Sequence, residues 1–272
     1  MLTSEGPRIT EPTGRSGITK FYHVLVERAA RMGDSGRVTD APGAERSATS
    51  SPSVPMPERL IAATADLLRE QGPAQIKARV VAEAVGASTV AIYHHFGGVP
   101  ELLTAVVSQG FSDLRSAFAD ASELSDDPAA ELFAMALCTR DLARSNAHLY
   151  DLMFGLSTRG TYRPLSASPD SPSNRFAECY AMLVAACGRL IATGRLDPIT
   201  PDEVASELWS AVHGFVTLEA AGQFERYADP AVAVLRPLCT RIIVGMGDAP
   251  DRASRAADAA LTWWVDRTGG GA

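Results

Sequence analysis

The chain has 272 residues, 25 Lys+Arg against 32 Asp+Glu, a formal net charge of −7, and 46% apolar with 21% charged residues. Those proportions suit a globular protein of about two domains and exclude a mainly disordered chain or a disulfide-built miniprotein. No apolar run approaches the roughly 18 residues of a membrane span, and the acid excess speaks, at face value, against a nucleic-acid partner.

Residues 1–56 are rich in Gly, Ser, Thr and Pro and end in SATSSPSVPMP, the composition of a flexible tether. Phe21, Leu25 and Arg28 allow one short helix over 19–32, while Met32 and Met56 leave a later gene start open. From Pro57 the 3.6-residue period is strong: Leu60, Ile61, Thr64, Ala65, Leu67 and Leu68 share one face, and Gly72-Pro73 ends the helix. Further helices are expected over 77–85, 88–96, 99–121, 128–145, 147–155, 173–193, 201–224, 230–246 and 252–266. Strand-like alternation and long-period repeats are absent, so the fold class is all-α.

The four cysteines (138, 179, 187 and 239) form no C-x-x-C pair and read as reduced structural thiols. The five histidines (23, 94, 95, 148 and 213) have no metal-ligand spacing, so neither metal nor cofactor is expected. A nucleophile–base pair, a phosphate loop and paired catalytic carboxylates are likewise missing, which speaks against an enzyme. FYHVLV at 21–26 is too short for a secretory signal, so a soluble cytoplasmic protein without a membrane partner is expected.

The stretch ARVVAEAVGASTVAIYHHF carries the most specific pattern. Ala82 is small enough for two helices to approach, Gly86 accepts the positive φ of a tight turn, and Ile92 fills the space between, helped by Val81 and Val85. Ser88 stands at the N-cap of the second helix, its hydroxyl expected to accept a backbone N–H. That register turns Thr89, Val90, Tyr93 and His94 outward. Thr89 suits a base or phosphate and Val90 a thymine methyl, while Tyr93 and His94 offer donors for phosphate oxygens.

From Pro57 to Leu103, the residues Ala82-x-x-x-Gly86-x-Ser88, Ile92-Tyr93-His94-His95-Phe96 and Leu102-Leu103 resemble the DNA-binding domain of TetR-type transcriptional regulators. The resemblance implies a three-helix, operator-binding N-terminal domain and a helical C-terminal domain that dimerises and binds a small effector. It places Tyr93 on the DNA backbone and gives His95 and Phe96 the task of anchoring the recognition helix. Lys77 and Arg79 at the start of the preceding helix join Ser88, Thr89, Val90, Tyr93, His94 and His95 as candidate DNA contacts. Two positions depart from the family: Lys77 replaces a capping Thr or Ser, and Val99 replaces a Lys near a phosphate.

Trp209, His213 and Gly214, with HLYDLMFG at 148–155, resemble a TetR-type C-terminal subclass marked by Trp, His and Gly. Gly214 is expected to allow a close helix approach. Candidate effector-lining residues are Phe133, Leu137, Met153, Phe154, Phe176, Tyr180, Trp209 and His213, apolar enough for an uncharged hydrophobic ligand. The resemblance implies a dimer interface on the helices at 201–224 and 230–246; their apolar residues Val204, Leu208, Val212, Phe215, Leu218, Val234, Leu238, Ile242 and Ile243 suit that interface and burial inside one subunit equally. Trp263 and Trp264 are expected to pack.

The expected organisation is therefore a flexible extension (1–56), a helix-turn-helix domain (57–103) and an effector and dimerisation domain (104–272). It implies a homodimeric repressor that leaves a palindromic double-stranded operator when a small hydrophobic effector binds. The alternative is a helical scaffold whose helix-turn-helix has lost DNA affinity. The charge no longer opposes DNA: residues 57–108 hold 4 basic and 5 acidic groups, whereas 109–272 hold 14 and 21. Arg37 and Arg46 of the extension could supply further cations.

Overall fold

A computed structural model describes residues 54–155 and 172–269; the expected helix over 19–32 and the candidate cations Arg37 and Arg46 lie outside the described residues. Among the described residues there are ten α-helices and no strand. They are α1 (Met56–Gln71), α2 (Ala78–Ala84), α3 (Thr89–Phe96), α4 (Val99–Ser122), α5 (Pro128–Ser145), α6 (Ala147–Phe154), α7 (Pro172–Ala192), α8 (Pro201–Ala220), α9 (Arg236–Gly245) and α10 (Pro250–Thr268). No described helix is long and apolar enough to cross a membrane.

The starts and stops have local causes. Asp127 caps α5 by accepting from the Ala129 N–H at 3.0 Å. Thr200 and Glu203 form a reciprocal capping box at the start of α8. Five-residue spacing precedes α9: the Arg236 N–H reaches back to the Ala231 carbonyl, widening residues Ala231–Leu235 into a π turn just before Pro237, which has no N–H for the regular ladder. The helix expected over 201–224 ends earlier, at Ala220, because the chain turns at Gly222 (φ +74°) with its N–H on the Glu219 carbonyl.

The core is organised around α5. Fourteen of its eighteen residues are buried, since α4, α6, α7, α8 and α10 all pack on it. The 24 residues of α4 span about 36 Å. Its N-terminal end meets α1 and α3 while its remainder meets α5, α6 and α7, so it crosses the expected 103/104 boundary without a break. Buried charge is paired. Arg195 links three connections distant in sequence, bonding Asp248 at 2.6 and 3.1 Å and also Asp127. Arg140 grips Glu219 through bonds of 2.7–3.0 Å. These carboxylates offset the desolvation of the guanidinium groups.

Several residues that suited either an interface or an interior belong to this interior. Val204, Leu208, Val212, Phe215 and Ile243 are buried within the subunit, because α8 lays its apolar stripe against α5 and α7 and α9 packs behind it. Leu218 stays 47% exposed; Val234, Leu238 and Ile242 are half-buried. A Cβ at Gly214 would meet nothing within 4 Å, so the close approach expected there is not made within the subunit. Trp263 and Trp264 are half-buried against the core. All four cysteines are free and buried, each thiol pushed up to about 12 by burial.

Candidate functional site

The first candidate face is built by α2, the Val85–Ser88 turn and α3. Ala82 is 2% exposed, and its carbonyl accepts the Ala87 N–H at 2.9 Å. Gly86 makes the turn at φ +64°, where a side chain would be strained. Val81 and Ile92 are fully buried between the helices, and Arg59 of α1 donates to the Val85 carbonyl at 2.5 Å, tying the turn to the first helix. With Ile92 buried, the 3.6-residue period turns Val90 and Tyr93 to solvent at 69% and 58% exposure. They are the two most exposed large apolar groups among the described residues.

Around that pair, Ser88, His94 and His95 are exposed and Thr89 is half-buried. The imidazoles of His94 and His95 meet edge-on with centroids 4.8 Å apart. Phe96 is half-buried against the core and carries the packing at this end of α3. Ser88 occupies the N-cap with extended backbone, but its hydroxyl makes no capping bond. At an exposed helix start, solvent can satisfy the first N–H groups, so the side-chain bond is dispensable. Lys77 is exposed at the N-cap of α2 and makes no side-chain cap. Arg79 is exposed and pairs with Glu83 at 2.8 Å, which raises its already high pKa.

The second candidate site is an aromatic box in the helical bundle. Three helices each contribute a pair spaced i, i+4, the spacing that places two side chains on one face: Tyr150 and Phe154 from α6, Phe176 and Tyr180 from α7, Trp209 and His213 from α8. Phe111 of α4 closes the set, with ring centroids 5.6 Å from Phe154 and 5.9 Å from Phe176. His213 sits 4.1 Å from Trp209, 4.5 Å from Phe154 and 5.5 Å from Tyr150, centroid to centroid. Its Nδ1 lies 2.5 Å from the Tyr150 hydroxyl. Its Nε2 is the one buried side-chain nitrogen or oxygen without a partner among the described residues. Burial pushes the imidazole down to about 4 and the Tyr150 phenol upward, so both are neutral near pH 7.

Two spaces adjoin the box. Trp209 lines an apolar cavity of about 20 Å³ with Phe133, Phe118, Leu208, Val212 and Cys239. Tyr150 lines a groove of about 350 Å³ between α5, α6 and the end of α8, beside Ala143, Thr217 and Ala220. Of the eight expected pocket residues, Phe154, Phe176, Tyr180, Trp209 and His213 meet in the box. Phe133 belongs to the neighbouring cavity, and Leu137 to a smaller one of about 10 Å³ under α10. Met153 turns toward α4, where its Sδ would lie 2.7 Å from a Cβ on Gly110. Sequence reasoning missed Phe111, and it left Leu208, Val212 and Ile243 open between a subunit interface and the interior, where they line the cavity.

The helix joining the two faces is α6. Asn146, 8% exposed, caps it by accepting from the Leu149 N–H at 3.0 Å and donates to the Ala65 carbonyl of α1 at 2.8 Å. His148 lies beside Gly72 at the end of α1, where a Cβ would come within 3.2 Å of its Nε2.

Two family models match the chain. Residues 60–106 match the family model described as bacterial regulatory proteins, tetR family. Residues 132–242, which include Trp209, His213 and Gly214, match the tetracyclin repressor-like C-terminal domain. The HTH-type transcriptional regulator Rv1816 of Mycobacterium tuberculosis is 24% identical over 194 residues, covering 61% of this chain and 81% of that relative. Among solved structures, a protein of unknown function from Rhodococcus sp. RHA1 is 22% identical, with a TM-score of 0.64 over 74% of this chain and 100% of that one. FadR from Bacillus subtilis, a transcriptional regulator solved in complex with stearoyl-CoA, is 14% identical, with a TM-score of 0.57 over 69% and 98% of the two chains. At these identities the solved structures speak for the fold.

Proposed function

The chain belongs to the TetR family of bacterial transcriptional regulators, ligand-responsive DNA-binding proteins, and on that premise we propose that it is a homodimeric cytoplasmic repressor released from its operator by a small apolar effector. Residues 57–103 read DNA and residues 104–272 bind the effector and dimerise. The observation that carries this reading is the outward pair Val90 and Tyr93 on a helix fixed by the buried Ile92. A recognition helix lays such a face in the major groove, with Val90 on base edges and Tyr93, His94 and His95 toward phosphates. Ser88 and Thr89 stand at its N-terminus, and Lys77 and Arg79 approach the backbone from α2. Two such helices, about 34–36 Å apart in a two-fold dimer, span successive grooves of a palindromic site. Of the residues expected at an interface, Leu218, Val234, Leu238 and Ile242 remain available to the partner subunit.

The aromatic box with Phe133 and its neighbouring cavity receives the effector. Stearoyl-CoA, the ligand in the Bacillus subtilis FadR structure, carries phosphates. Here the buried guanidinium groups of Arg140 and Arg195 are already bonded to carboxylates, which favours an uncharged ligand. An effector that spreads Tyr150 and Phe154 displaces α6, and Asn146 passes that displacement to α1. A ligand preferring the displaced arrangement shifts the population away from the DNA-binding geometry.

The test is recovery of bound genomic fragments by the full chain, followed by gel shifts on the recovered site. Tyr93→Ala is expected to weaken operator binding about five- to tenfold while leaving the dimer intact, the loss of roughly one hydrogen bond together with an apolar contact. Unchanged affinity removes Tyr93 from the interface. Recovery of no preferred site favours the scaffold reading.

A further inference from the structure

His213 has two ring nitrogens and only one is used. The Tyr150 hydroxyl bonds no other acceptor among the described residues, so its proton goes to Nδ1. The opposite arrangement, with Nδ1–H donating, would strand that proton inside the box and leave Nε2 without a donor as well. The favoured tautomer therefore carries its hydrogen on Nε2, a buried neutral donor between the half-buried rings of Phe154 and Trp209 that has no partner among the described residues. Buried donors are rarely left so, because the protein loses the water bond without replacing it. An orphaned donor in an aromatic enclosure is what a site prepared for an acceptor looks like.

We propose that His213 Nε2–H is the polar anchor of the effector, and that the effector is an uncharged, flat apolar molecule carrying a hydrogen-bond-accepting oxygen, with an aryl ketone as the simplest case. The proposal rests on reading the helical domain as an effector domain and adds the class of ligand. The aromatic frame stacks among Phe154, Phe176 and Trp209, and the oxygen accepts from Nε2. Carboxylates are disfavoured because the imidazole is neutral in its buried setting and Arg140 and Arg195 are committed elsewhere. The adjoining cavity, at about 20 Å³, has room for about one water, so the ligand enters by parting the rings, and Tyr150 faces the larger groove from which it comes.

Three matched probes test this on the full chain by titration calorimetry: acetophenone, ethylbenzene and benzoate. Acetophenone is expected to bind about tenfold more tightly than ethylbenzene, the worth of one neutral hydrogen bond, and more tightly than benzoate. His213→Phe keeps a ring in the box and removes the donor, so the acetophenone preference should fall to about one while ethylbenzene still binds. Nitrogen-15 histidine spectra of the unsubstituted protein give a second reading: the proton is expected on Nε2, with that nitrogen shifting on addition of acetophenone. Equal binding of acetophenone and ethylbenzene, preference for benzoate, a preference that survives in His213→Phe, an Nδ1-protonated tautomer, or no binding of any probe overturns the anchor. Operator binding by the same unliganded preparation is scored separately, so loss of the anchor and loss of the regulator reading are distinguishable outcomes.

Discussion

At the scale of single residues, His213 makes stability depend on pH in a defined window. Its imidazole is held down to about 4 by burial, against about 6.5 when unfolded. Above pH 6.5 it is neutral in both states and contributes no pH dependence. As pH falls from 6.5 toward 4, the unfolded chain takes up the proton and the folded chain resists, so stability drops, by up to about 3 kcal/mol once pH is below both values. Urea unfolding between pH 7.5 and 4.5 should show this loss, and His213→Phe should flatten that part of the profile; an identical slope in the variant would assign the loss to other groups. The i, i+4 pairs Phe176/Tyr180 and Trp209/His213 were legible in the sequence, since the period alone places each on one face. That α4 supplies Phe111 to the same box was not, because it depends on how helices cross. The Ser88 hydroxyl was misjudged for a different reason: residue type marks a cap position, while solvent access decides whether the side chain must make the bond.

At the scale of elements, α6 is the part that touches both faces. Its two box residues, Tyr150 and Phe154, follow about one and two turns after the Asn146 cap that holds α1. Replacing Asn146 by Ala removes the cap and the tie to the Ala65 carbonyl, which keeps its own helical N–H partner, and should lower stability by about 1–2 kcal/mol. If α6 transmits the effector signal, the variant that still binds operator will respond less to effector, so gel shifts at rising effector concentration should show a larger fraction remaining bound. A response identical to that of the unsubstituted chain would take Asn146 out of the coupling. Helix positions were readable from apolar period and from Pro, Gly and capping signals, so most expected ends fall within a few residues of the observed ones. The partner of each apolar face was not readable. Val204, Leu208, Val212 and Phe215 suit a subunit interface as well as an interior, and only the placement of α5 and α7 against α8 decides between them.

At the scale of the whole molecule, the charge distribution sets how DNA binding must respond to salt. The acid excess lies in residues 109–272, and the DNA-reading segment 57–108 has only four basic residues. Three of these are engaged inside the subunit: Arg59 with the Val85 carbonyl, Arg69 with Asp66 at 2.9 Å, and Arg79 with Glu83. Lys77 stands exposed, and the Arg79 pair is exposed enough to exchange its carboxylate for a phosphate. Each phosphate neutralised contributes about −0.9 to the slope of log affinity against log salt. One or two such contacts per subunit give a dimer a slope between about −2 and −4, shallow for a DNA-binding protein. Affinity measured from 50 to 300 mM salt checks this. A much steeper slope would mean further cations reach the DNA, and the seven basic residues of 1–56 are the available source. Removing residues 1–53 should then restore the shallow slope and weaken binding at low salt. If the full chain already shows the shallow slope, removal should change neither quantity, and discrimination among sites would rest on the Val90–Tyr93 face and on the geometry of the dimer.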